Sequence, residues 1–305
     1  MMYASVIVVV LGLPILVVAL VVLLVIGSRG RPRDHEATVV AARRHETRNA
    51  AAAVGASVCA ALAVGNPAVA ALAPPGVLLG VAPFAAALTY CLARAAGETR
   101  WPRPTGDVRR APLVRRSVRD QGGWPLPLFL ATVGVLAVAL VAFGFNATAD
   151  GRTVERMLVD AAGTVREVRR AGPFPGWEFG VPALVALVLV VGALFVALRA
   201  VTRRPPIGLL SAAQDDAIRR TSAARVLAGA QAWVGLGAVG YLAFSTGALL
   251  RVGWLLGGVT CAVAAVLVLV GSMVVAGAAA VPRRAEAPAV ETDAVPPAAP
   301  ARPVP

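Results

Sequence analysis

Seven apolar stretches, at about residues 3–27, 49–65, 76–95, 125–145, 182–201, 226–250 and 252–281, constrain this chain more than any other feature. A helix crosses roughly 30 Å of hydrocarbon with about 20 apolar residues at 1.5 Å per residue, and each stretch comes close to that length. Hydrocarbon offers no water to backbone N–H and C=O groups, so segments of this kind satisfy them internally as helices. The expected fold is therefore all-α: a polytopic bundle of seven transmembrane helices forming one membrane domain over residues 1–281. The Pro- and Ala-rich residues 282–305 read as a disordered tail.

Arginine sets the expected orientation. The chain has 29 basic residues and every one is Arg. Together with the abundance of Ala, Val and Gly, that is what a GC-rich bacterial genome encodes. The first, third and fifth connections plus the tail hold 23 of them, against 6 in the second, fourth and sixth. Because cytoplasmic connections retain positive charge during insertion, the N-terminus is expected outside and the C-terminus in the cytoplasm, in a bacterial cytoplasmic membrane. The net charge of +13 would suggest nucleic acid in a water-soluble chain. Here it flanks the spans, so the expected partners are membrane lipids with anionic headgroups and a possible protein partner, with no nucleic acid. No basic n-region or small-residue cleavage site precedes Arg29, so residues 3–27 read as a retained first span.

Paired arginines recur as ARRHETRN at 42–49, VRRSVRDQ at 114–121 and IRRTSAAR at 218–225, each leading into a pair of spans. A triplicated unit and a simple stop signal at the headgroups both account for this. Ser211 and Gln214 form a capping-box pattern, with Asp215 to Arg219 and Asp216 to Arg220 at i, i+4 spacing. A helix is expected to begin there and lead toward span six. In the fourth connection Val154, Met157, Leu158, Ala161, Val165 and Val168 recur at helical spacing, predicting an amphipathic outer helix over about 152–171. Phe174, Trp177 and Phe179 after it suit an interfacial aromatic belt. Gly76 with Gly80, Gly253 with Gly257, and Gly235, Gly237 and Gly240 suggest close helix crossings. Pro83 is expected to kink span three.

Chemistry is sparse. With these boundaries the spans contain no Asp, Glu, His or Lys, which argues against a proton relay at membrane depth. His35 and His45 lie ten residues apart with no third ligand pattern. Cys59, Cys91 and Cys261 show neither disulfide nor zinc spacing, and Asn146-Ala147-Thr148 is a sequon of the kind that arises by chance. No phosphate-binding loop, nucleophile elbow or zinc-protease motif is present. The sequence thus offers no catalytic, cofactor or metal site. Gln231, Trp233 and Tyr241 are the best candidates for a polar spot within the bundle. The expected function is a non-enzymatic scaffold or accessory subunit. The alternative is a small permease or facilitator for a neutral or weakly polar solute.

Overall fold

A computed structural model describes residues 37–100, 117–205 and 212–280. The predicted first span, Ser211 and the tail lie outside these residues. Among the described residues the chain forms α1 (Ala37–Val64), α2 (Pro67–Ala70), α3 (Val77–Thr99), α4 (Val118–Gly122), α5 (Pro125–Asn146), β1 (Val154–Val159), β2 (Val165–Ala171), α6 (Trp177–Arg203), α7 (Ala212–Arg251) and α8 (Leu255–Ala280). Six of these, α1, α3, α5, α6, α7 and α8, are long and apolar enough to cross a membrane. They correspond to predicted spans two to seven.

The helices outrun the apolar stretches that announced them. α1 starts at Ala37 rather than near Asn49, α3 continues to Thr99, and α7 is a single helix of 40 residues. At 1.5 Å per residue α7 is about 60 Å long, roughly twice the hydrocarbon thickness. Hydropathy marks the part of a helix that lipid tolerates, whereas hydrogen bonding continues until a cap or turn ends it. At the far end of α7 the stop is a Schellman motif. Gly253 adopts φ 83°, a left-handed conformation that favours glycine, while Trp254 N–H donates to Leu249 C=O at 2.9 Å and Gly253 N–H to Leu250 C=O at 3.0 Å. A capping box does occur, at Ser117 and Asp120 ahead of α4, where Ser117 Oγ accepts from the Asp120 amide at 3.1 Å.

α7 is the most buried of the six long helices and packs against α3, α5, α6 and α8. α3 packs against α1 and α6, and the uncharged link 66–75 returns α1 into α3 as an antiparallel hairpin. The core between them is filled by Phe84, Tyr90, Phe129, Leu136, Leu140, Leu194, Leu198, Leu227 and Val234. Tyr90 and Phe84 of α3 lie against Gly229 and Gly237 of α7, where a Cβ would strike their rings. Outward faces carry Val138 and Phe145 on α5, Val185 and Val188 on α6, and Leu256, Val263 and Leu267 on α8. Rows of exposed aliphatic side chains of this length fit a lipid environment.

The glycine expectations divide. Gly80 faces the Tyr241 hydroxyl, and Gly235 and Gly237 face Ser272 and Phe84, as close crossings require. Gly76 and Gly253 instead occupy turns at φ 87° and 83° immediately outside helices. They serve backbone conformation, so their GxxxG spacing does not mark a helix contact.

Residues 152–171 do not form the predicted amphipathic helix. β1 and β2 pair antiparallel as a hairpin, with Val154 opposite Ala171 and Met157 opposite Val168. The reason is local. Asp160 Oδ1 accepts from the amides of Ala162 and Thr164, and Gly163 takes φ 79°, which closes a turn where the helix would have to continue. The helical spacing of the apolar residues spans two short strands on either side of that turn. Phe174 also departs from the interfacial expectation: it is buried and packs edge-on against Phe143 at 5.3 Å. Trp177 stays partly exposed against Phe145.

Candidate functional site: a buried charge network

The most distinctive chemistry lies at the arginine-rich end of the bundle, where four helices converge. Glu46 on α1 accepts a 2.7 Å hydrogen bond from Arg94 Nη2 on α3, and Arg225 Nη1 of α7 lies 3.5 Å from the same Oε1. Glu46 Oε2 accepts from Ser222 Oγ of α7 at 3.2 Å. Ser222 Oγ in turn receives Arg204 Nη1 at 3.3 Å from the end of α6. Glu98, one turn beyond Arg94, lies between Arg94 Nη2 at 3.8 Å and Arg204 Nη1 at 3.6 Å. Next to this ring Arg219 donates Nε to Asp215 Oδ2 at 2.8 Å and Nη1 to the Val201 carbonyl at 3.0 Å, tying α7 to the last turn of α6.

These groups are inside the protein. Arg94 and Arg219 are fully buried, and Glu46, Glu98, Arg204 and Asp215 are 5 % exposed or less. Removing such ions from water costs several kcal/mol each, recovered only through close pairing and hydrogen bonding. Burial draws the Arg204 pKa below its ordinary value, with Glu98 opposing that effect. Around the ring, His45 Nε2 donates to the Gly97 carbonyl at 3.0 Å and Asn49 Nδ2 to the Arg94 carbonyl at 3.4 Å. Gly97 permits this approach, since a Cβ there would overlap the Asn49 amide. Tyr90 Oη donates to the Arg225 carbonyl at 2.9 Å.

Within the stated bounds the spans carry no Asp, Glu or His, but the helices run past those bounds and there bring acids into the bundle. His45, Glu46 and Glu98 lie on extensions of spans two and three that hydropathy had assigned to loops. The predicted Asp215 to Arg219 pair forms and is buried, bracing α7 against α6. Glu46 was legible in one respect: the polar Glu46, Asn49 and Ser57 share a helical face with Ala53, a stripe continuing into an apolar segment.

The polar spot expected from Gln231, Trp233 and Tyr241 separates into three places. Gln231 Nε2 donates to Thr132 Oγ1 of α5 and Ser272 Oγ of α8, both at 3.0 Å, joining three helices. Trp233 Nε1 donates to Ser57 Oγ of α1 at 3.1 Å. Tyr241 Oη reaches the Phe179 carbonyl of α6 at 3.5 Å.

At the opposite end the hairpin is tied down by arginine. Arg152 donates to both carboxylate oxygens of Glu178, Arg156 to the Gly253 carbonyl, and Arg251 Nη2 to the Gly172 carbonyl at 2.9 Å. The sequon has a structural role. Asn146 Nδ2 donates to the Ala142 carbonyl, and Thr148 Oγ1 to Asp150 Oδ1 at 2.6 Å. Asp150 also accepts from the Arg152 and Thr153 amides. These donors, the Thr148 hydroxyl foremost, hold its pKa well below the usual carboxylate range.

Among the described residues no group of three or more His, Cys, Asp or Glu is arranged to hold a metal ion. Six helices able to cross a membrane, packed around a common core, define the class as a multi-pass helical membrane protein. Comparison with known proteins finds no matching protein family, no matching curated protein and no matching solved structure.

Proposed function

We propose that the chain is a non-enzymatic scaffold or accessory subunit of a bacterial cytoplasmic membrane, offering its outer hairpin to a protein partner. In this reading residues 3–27 supply a seventh span. The N-terminus lies outside, and the arginine-rich end lies in the cytoplasm against anionic headgroups.

The observation that carries it is the outward face of the hairpin. Arg156 and Arg169 of one face turn toward Gly253 at the α7–α8 turn. Met157, Val159, Val165 and Val168 occupy the opposite face, each at least half exposed, next to the Glu155–Arg170 ion pair. An exposed apolar cluster with a charged margin is characteristic of protein contact surfaces. The cross-braced ends and the filled core support a rigid platform over a conduit. The exposed Arg44, Arg48, Arg199, Arg203 and Arg220 at the other end would each contribute on the order of 1 kcal/mol of attraction to anionic lipid.

Photocrosslinking from Val168 in native membranes tests the reading. The expected result is a discrete adduct that disappears when Met157→Asp is introduced in a protein that still folds. An adduct indifferent to that change, or robust flux of neutral solutes into proteoliposomes, would replace the scaffold with the permease alternative.

A further inference from the structure

α1 is attached to the bundle largely through polar groups. Its buried stripe is Glu46, Asn49, Ala53 and Ser57, while Val54, Val58 and Ala61 are only partly buried against the core. Each polar member has its partner on another helix: Glu46 with Arg94, Ser222 and Arg225, Asn49 with the Arg94 carbonyl, and Ser57 with Trp233. Lipid tails cover apolar side chains as well as a neighbouring helix does, so in a bilayer such polar contacts carry much of the association.

The shortest link is Arg94 Nη2 to Glu46. It uses one corner of the guanidinium, and Arg94 Nε and Nη1 are buried without a hydrogen-bond acceptor. Glu98, four residues along the same helix, is buried with neither carboxylate oxygen hydrogen-bonded, 3.8 Å from Arg94 Nη2. Arginine and a carboxylate at this spacing can pair within one helix, and a guanidinium gains most from a two-pronged bond. Both carboxylates approach the same nitrogen, Nη2, with Glu46 Oε1 at 2.7 Å and Glu98 Oε1 at 3.8 Å, the second about 1 Å beyond a hydrogen bond.

We propose that Arg94 exchanges between Glu46 on α1 and Glu98 on its own helix, latching α1 to the bundle in one state and releasing it in the other. The two carboxylates compete for one nitrogen, Nη2 of Arg94, so the states are alternatives rather than points on a continuum. On release Glu46 moves toward the helix end where Arg44 and Arg48 are already exposed, and its charge regains water. The latch involves ion pairs remote from the hairpin and does not depend on the scaffold reading.

Nitroxide labels at the exposed Cys59 of α1 and at Val138→Cys on α5 would report the separation, in full-length protein in liposomes with Cys91→Ala and Cys261→Ala. The expected distribution has a major docked and a minor undocked distance. Glu46→Gln should raise the undocked fraction about tenfold or more, and Glu98→Gln should abolish it. A reference pair on Val138→Cys and Val188→Cys, on α5 and α6 with Cys59→Ala added, should stay fixed in both variants. An undocked fraction unchanged by Glu46→Gln, an undocked fraction that survives Glu98→Gln, or a shift of the reference pair would each overturn the latch.

Discussion

Arg94 illustrates how a side chain at the edge of an apolar stretch becomes an interior group. Positioned by α3 under α1 and α7, it is fully buried and bonded to Glu46. Truncating one partner of such a pair leaves the other charged and dry, so Arg94→Leu should destabilise the protein by about 3–5 kcal/mol. The double variant Arg94→Leu with Glu46→Gln should recover part of that loss, as thermal unfolding in detergent would measure. Asp150 is the counterpart at the opposite end, exposed and held ionised by the Thr148 hydroxyl and two amides. Its pKa is lower folded than unfolded, so its contribution is complete above the unfolded value of about 4. That contribution is lost as pH falls through the folded value. Proteolysis of the hairpin should accelerate on acidification in the unmodified chain. In Asp150→Asn the hairpin should already be more susceptible at neutral pH, with a smaller acid-side increase.

At the scale of elements, α3 and α7 approach closely because Gly229 and Gly237 leave room for Tyr90 and Phe84. A methyl at residue 229 would overlap the Tyr90 ring and disturb its bond to the Arg225 carbonyl. Gly229→Ala should therefore cost about 1–3 kcal/mol through overpacking, although alanine is the better helix former. An unfolding midpoint equal to or above that of the parent chain would contradict this packing. The crowding of span six by glycine was visible in the sequence, whereas the aromatic partners on span three were not. Helical spacing places a residue on a face without naming what the face meets. The hairpin is a harder case. Its apolar residues follow a helical period more closely than a strand alternation, and Asp160 and Gly163 override that period by closing a turn.

For the molecule as a whole, the two ends are built differently. One is joined by buried ion pairs among α1, α3, α6 and α7, the other by a hairpin fastened over the turn between α7 and α8. In the proposed orientation the first end faces the cytoplasm. In intact cells, a membrane-impermeant maleimide should therefore label Asp160→Cys at the hairpin turn and leave Arg220→Cys unlabelled until the cells are opened. Labelling in the reverse order would invert the orientation, while leaving the bundle and its charge network unchanged.

The sequence by itself determined the solvent, the helical class and the positions of spans two to seven. Stretches of about 20 apolar residues have few alternatives in water or in lipid. Its charge asymmetry also separated the two ends. Only the tertiary structure decided which ions are buried, because hydropathy records a residue's average preference and not the partners a fold supplies. Glu46, Arg94 and Glu98 read as loop or boundary residues while each is considered alone. Brought together from helices 48 residues apart in sequence at Glu46 and Arg94, they become the interior of one end of the bundle.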